Sequence, residues 1–130
     1  MILLMILAGA LSTMNNWVNS IDDIRFTLND IYMISLMTGW MVLGMGLLDS
    51  SIYWSSVGGI TVLGSIIAIR KQLFISETQY LTGMIPHHSM AIHMSNKLLE
   101  KGGSRNLPNL PQQIIESQIK EIVEMKRVLS

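Results

Sequence analysis

The chain has 130 residues, no cysteine and a formal net charge of zero, and 49% of it is hydrophobic. That length admits one small domain, or a membrane anchor joined to a helical module; without cysteine there is no disulfide, thiolate metal site or cysteine nucleophile. Residues 1–69 hold Arg25 against Asp22, Asp23, Asp30 and Asp49, whereas residues 70–130 hold eight basic and five acidic residues, an excess too small and scattered for nucleic-acid binding.

Residues 1–14 (MILLMILAGALSTM) are apolar and end at Asn15-Asn16. No basic segment precedes them and no small-x-small cleavage site follows, so they do not read as a cleaved signal peptide. Joined by Trp17-Val18 they form a candidate first span, 1–18, against a hydrocarbon core of roughly 30 Å. Residues 15–30 are polar and acidic, with Trp17 placed as an interface anchor.

Residues 31–48 and 52–69 are uncharged and just long enough to cross a bilayer. Asp49-Ser50-Ser51 makes a tight turn between them, so they read as an antiparallel transmembrane hairpin closed by Arg70-Lys71. Ser55, Gly58, Gly59, Gly64 and Ser65 are small residues suited to close helix contact. Met33, Met37, Met41 and Met45 recur every four residues. A soft-metal conduit is one reading of that ladder; helix packing, with methionine as apolar filler, is preferred.

The remainder is water-soluble in character. Residues 76–101 read as a helix with Ser76 as N-cap, stopped by Gly102-Gly103; residues 102–111 read as a loop. A second helix runs from Pro111, a favoured first helical residue, to Leu129, with Ile114, Gln118, Glu121, Ile122, Met125 and Leu129 on one face. The two make an αα-hairpin. Pro86 removes one backbone bond inside the first helix and frees the carbonyl of Thr82, so the helix either kinks there or begins there.

All three histidines fall in one window, Met84-Ile85-Pro86-His87-His88-Ser89-Met90-Ala91-Ile92-His93-Met94. Imidazole and thioether are the neutral side chains that bind soft ions such as Cu(I). At about 100° per residue, Tyr80, Met84, His87, Ala91, Met94 and Leu98 share a stripe, flanked by His88 and Met90, with His93 pointing away. The stripe is expected to face a partner helix, with Met84, His87, His88, Met90 and Met94 as metal ligands and Ala91 leaving room above His87. Taken singly, each of these residues is better read as core; adjacent histidines among methionines, however, are costly to bury without a purpose. Glu121 is expected to orient a histidine from the second helix, or to act as a plain polar core partner. His88 and His93, with four residues between, also suit a zinc pair, but neither a cysteine nor a nearby carboxylate completes a tetrahedron. Copper as Cu(I) therefore comes first, with silver or zinc as the other candidates. No Glu-x-x-His pair and no nucleophile–base constellation occurs, which argues against an enzyme or a small-molecule substrate.

Residues 77–129 resemble the domain-of-unknown-function family 305, marked by a Met-Ile-Pro-His-His run and then a Gln-x-x-Glu-Ile-x-x-Met helix. Here these are Met84 to His88, followed by Ala91-Ile92, and Gln118 to Met125; Glu77 and Tyr80 stand at the family's acidic and aromatic positions. Gly83 and Ser89 depart from it, as does the short Asp49-Ser50-Ser51 turn. The resemblance implies a ferritin-like helical fold built by pairing hairpins, copper or silver binding outside the cytoplasm in some members, a membrane-anchored type, and occurrence in large DNA viruses. Charge alone would put Arg70-Lys71 inside; the family analogy, which is followed, puts the hairpin outside.

The expectation is an all-α protein: two or three N-terminal transmembrane helices within a membrane anchor at 1–71, then a His/Met hairpin domain at 72–130. The hairpin is expected to dimerise into a four-helix bundle, because alone it exposes its stripe. The function expected is soft-metal buffering or tolerance in a lipid bilayer. The rival is a structural or assembly protein, of a virion for example, whose hairpin only oligomerises.

Overall fold

The computed structural model describes residues 2–102 and 106–130. Among them the protein is all-helical: α1 (Ile2–Leu11), α2 (Leu28–Leu48), α3 (Ile52–Lys71), α4 (Glu77–Glu100) and α5 (Leu110–Leu129), with short 3-10 turns at Met14–Trp17 and Ile21–Asp23. The chain divides into two compact units, residues 1–13 with 27–75, and residues 14–26 with 76–130.

In the first unit, α2 starts where Thr27 donates its backbone N–H (2.8 Å) and hydroxyl (2.9 Å) to Asp30 Oδ2, a reciprocal N-terminal cap. Asp49-Ser50-Ser51 reverses the chain, Ser50 taking a left-handed φ of 52°, and Ser51 caps α3. Arg70 and Lys71 close α3 at the negative end of its dipole. Both helices are long and apolar enough to cross a membrane. The α2–α3 contact is close because a Cβ at Gly46 would strike the Ser55 backbone and one at Gly58 the Leu43 backbone. Ser65 Oγ adds a hydrogen bond to Ser35 Oγ (3.1 Å). Gly59 and Gly64, expected at this contact, face open space, because they lie on the other side of α3.

No continuous helix covers 1–18. α1 is ten residues, about 15 Å, roughly half the hydrocarbon thickness, and it packs on α2 with Gly9 against Ile34. Of the methionine ladder, Met33, Met37 and Met41 are exposed, so they line no interior path, while Met45 is half-buried near Met5, Val42 and Trp54.

In the second unit, α4 begins after the Ser76 cap and runs on through Pro86 rather than beginning there. Gly102 follows its end; Gly103, and the loop residues to 105, lie outside the described residues. Ile85, Ile92, Ile122 and Met125 form the core between α4 and α5, with Leu81, Met84, Ile115 and Leu129 packed against it. Residues 14–26 belong to this unit as a strap. Their Met14–Trp17 turn packs on α4, and Asn15 holds the strap's end by bonding both backbone groups of Arg25.

The strap is tied down by Asp23, 6% exposed. Its carboxylate accepts from the fully buried Ser89 hydroxyl at 2.7 Å and from Lys126 Nζ at 2.5 Å. Ser89 Oγ in turn accepts the backbone N–H of Asn19 at 2.8 Å, and Asn96 donates to the Asn19 side chain at 3.2 Å. The two buried polar side chains of this tie, Asp23 and Ser89, thereby have their polar groups matched, as burial requires.

Candidate metal centre

The structure shows which flank of α4 meets α5. The wheel set Tyr80, Met84, His87, Ala91, Met94 and Leu98 toward a partner helix; α5 instead meets the flank carrying Leu81, Ile85 and Ile92. The reason is the chemistry of the two faces. Isoleucine and leucine are buried with no polar atom to satisfy, while burying an imidazole without a partner costs free energy. Most of the stripe remains at the surface, with Tyr80 55% and Met94 57% exposed and His87 and Leu98 exposed as well, while Met84 and Ala91 are half-buried and Met84 packs against the core.

Met84, His87 and His88 stand at i, i+3 and i+4, so three soft donors share one turn of α4. The His87 and His88 rings have centroids 6.2 Å apart, inclined at 61°. His87 is exposed, whereas Met84, His88 and Met90 are half-buried. Met94 stands two turns beyond His87, about 10 Å along the axis. His93 lies on another face, as the wheel predicts.

Glu121 reaches this turn from α5: its Oε2 is 2.9 Å from His88 Nδ1. It does so from an exposed position beside the α5 core face rather than within it. The distance suits a hydrogen bond but the alignment does not, so the buried Nδ1 is left without a formed one. Burial holds the His88 pKa below its ordinary value; the Glu121 charge opposes that shift and His87 adds to it. The folded state thus binds its proton less readily than the unfolded chain, and stability should fall as pH drops below about 6.5 and through the lower folded-state value. Thermal unfolding of the metal-free full chain in detergent, followed by circular dichroism between pH 7.5 and 5, should show that fall, and His88→Gln should flatten it.

The donor chemistry fits a soft ion. Two imidazoles and a thioether within one turn, one imidazole lacking a formed hydrogen bond, suit Cu(I) or Ag(I). Among the described residues no three His, Asp or Glu side chains converge.

Sequence inspection does not find Asp23, Ser89 and Lys126 as a linked group. They are 66 and 103 residues apart, and no local pattern marks them. Their consequence for the site is positional, since Ser89 is the residue after His88 and its anchoring sets which way that turn of α4 faces.

A histidine- and methionine-bearing helical hairpin following two long apolar helices defines the class of protein. Residues 67–129 match the model of the family Domain of unknown function (DUF305). The chain is 46% identical over 138 residues to uncharacterized protein L153 of Acanthamoeba polyphaga mimivirus, an alignment covering 99% of this chain and 91% of that relative. No solved structure matches it.

Proposed function

We propose that this protein is a membrane-anchored, non-catalytic binder of Cu(I), acting in soft-metal buffering or tolerance. The observation that carries this is the single turn of α4 holding Met84, His87 and His88, with the Glu121 carboxylate 2.9 Å from His88 Nδ1. Met90 and Met94 extend the donor set along the helix. Silver shares the chemistry; zinc is the poorer fit.

The anchor follows from α2 and α3, whose outward faces present Met37, Trp40, Ile60, Leu63 and Ile67. So much contiguous apolar surface suits lipid rather than water. The family resemblance supports an extracytoplasmic hairpin and a ferritin-like four-helix bundle made by two copies. A second reading, favoured by the viral relative, is a virion assembly protein whose hairpin serves only to oligomerise.

Titration of the detergent-solubilised full chain with Cu(I) against a competing chelator separates the two. Tight binding that is lost in His87→Ala/His88→Ala, and weakened about tenfold in Glu121→Gln, is the expected result. Equal behaviour of wild type and double variant would remove the metal function and leave the assembly one. The full chain is the right sample because the strap at 14–26 belongs to the hairpin's own unit.

A further inference from the structure

Tyr80, Met84, His87, Ala91, Met94 and Leu98 follow one another by steps of four, three, four, three and four residues. That is the 3.5-residue repeat of a coiled-coil seam, the pattern that packs against another helix. The seam runs about 27 Å along α4 and carries no charged side chain. Most of it lies outside the contacts of its own chain: α5 takes the flank at Leu81, Ile85 and Ile92, with Met84 half-buried at the edge of that core, and the strap takes Ser89 and Asn96.

The step pattern is a palindrome, so it matches a reversed copy of itself. Two copies of α4 laid antiparallel about a two-fold axis at residue 89 set Tyr80 against Leu98, Met84 against Met94 and His87 against Ala91. Each imidazole then meets a methyl group that leaves it room. A parallel pairing would set His87 on His87 and Tyr80 on Tyr80, bulk against bulk. An isologous contact of the antiparallel kind closes on itself as a dimer.

The coordination chemistry asks for the same thing. Donors on one face of one helix approach an ion from one side only, and a linear or trigonal Cu(I) centre needs a donor from the opposite side. We propose that a second copy of this chain supplies it: Met84 and His87 of one copy and the partner's Met94 hold each ion, giving two equivalent sites per dimer. This assignment rests on the soft-metal function proposed above and adds where the ion sits and what completes its shell.

Subunit complementation tests it. Met94→Leu and Met84→Leu/His87→Ala chains carrying different affinity tags are co-expressed, the mixed dimer is isolated in detergent by both tags in turn, and Cu(I) is titrated against a chelator. Retained helicity by circular dichroism checks that each variant folds. Each variant alone should bind at least ~10-fold more weakly than wild type, a loss of about 1.4 kcal/mol or more. The mixed dimer should regain wild-type affinity at one of its two sites, where Met84 and His87 of the first chain meet the partner's Met94. Wild-type binding without recovery in the mixed dimer would overturn the shared site while leaving the soft-metal function standing. Failure to recover mixed chains when differently tagged wild-type chains are handled in parallel would overturn it too. No Cu(I) binding by wild type would end both.

Discussion

Replacing Gly58 by alanine is expected to weaken the α2–α3 hairpin by about 1–2 kcal/mol net, and Gly58→Leu to separate the helices. The added Cβ falls on the backbone nitrogen and Cα of Leu43. Backbone, unlike a flexible side-chain end, has no rotamer to move into, so the helices must part. Overpacking of this kind costs roughly 1–3 kcal/mol, more than the ~1 kcal/mol that alanine gains over glycine in helix propensity. Gly59 is the control one residue away, since a Cβ there meets nothing within 4 Å, and Gly59→Ala should lose nothing. Unfolding by graded SDS addition to the detergent-solubilised chain, read by helicity, checks both. Equal midpoints for the Gly58 and Gly59 variants would show that the close approach is absent.

Asp23→Ala is expected to cost about 2–3 kcal/mol in the hairpin unit and to release the strap. The buried Ser89 hydroxyl would lose its charged acceptor, and hydrogen bonds to charged groups contribute roughly 1.5–3 kcal/mol. Lys126 would lose its ion pair, but it is half-exposed and returns to water, whereas Lys126→Met leaves the buried Asp23 carboxylate without its cation and should cost about 1–3 kcal/mol. Asp22→Ala, next door and exposed, should be near neutral. Amide exchange at Asn19 and along α4, with thermal unfolding beside it, reads the difference. A strap that stays protected in Asp23→Ala would show that the Met14–Trp17 turn holds it unaided.

Asp23 bears on the Met84–His88 turn through the fold. The strap tie at Ser89 orients the His87–His88 turn, and the α4–α5 core at Ile85, Ile92 and Ile122 takes the aliphatic flank of α4. What is left outward is the seam of imidazole, thioether, tyrosine and leucine, so its exposure follows from how the other faces are used.

The sequence by itself determined whatever is encoded within a few residues. Two uncharged apolar runs with Asp49-Ser50-Ser51 between them specify a helical pair, extended in the structure to Leu28 and Lys71. Ser76 and Pro111 mark the starts of α4 and α5 to within a residue, because caps and proline act on the nearest turn. The Met84–His88 turn was legible for the same reason, since its donors are neighbours on one helix. Only the tertiary structure decided which face of α4 meets α5, which glycines sit at the α2–α3 contact, and that residues 14–26 strap the hairpin. A helical wheel gives relative angles around one helix but not the direction of its neighbour. That direction is settled by competition between faces for burial, and in that competition isoleucine outbids histidine. The ties of Asp23 to Ser89 and Lys126 leave no local trace, because each is a contact between residues that only folding brings together.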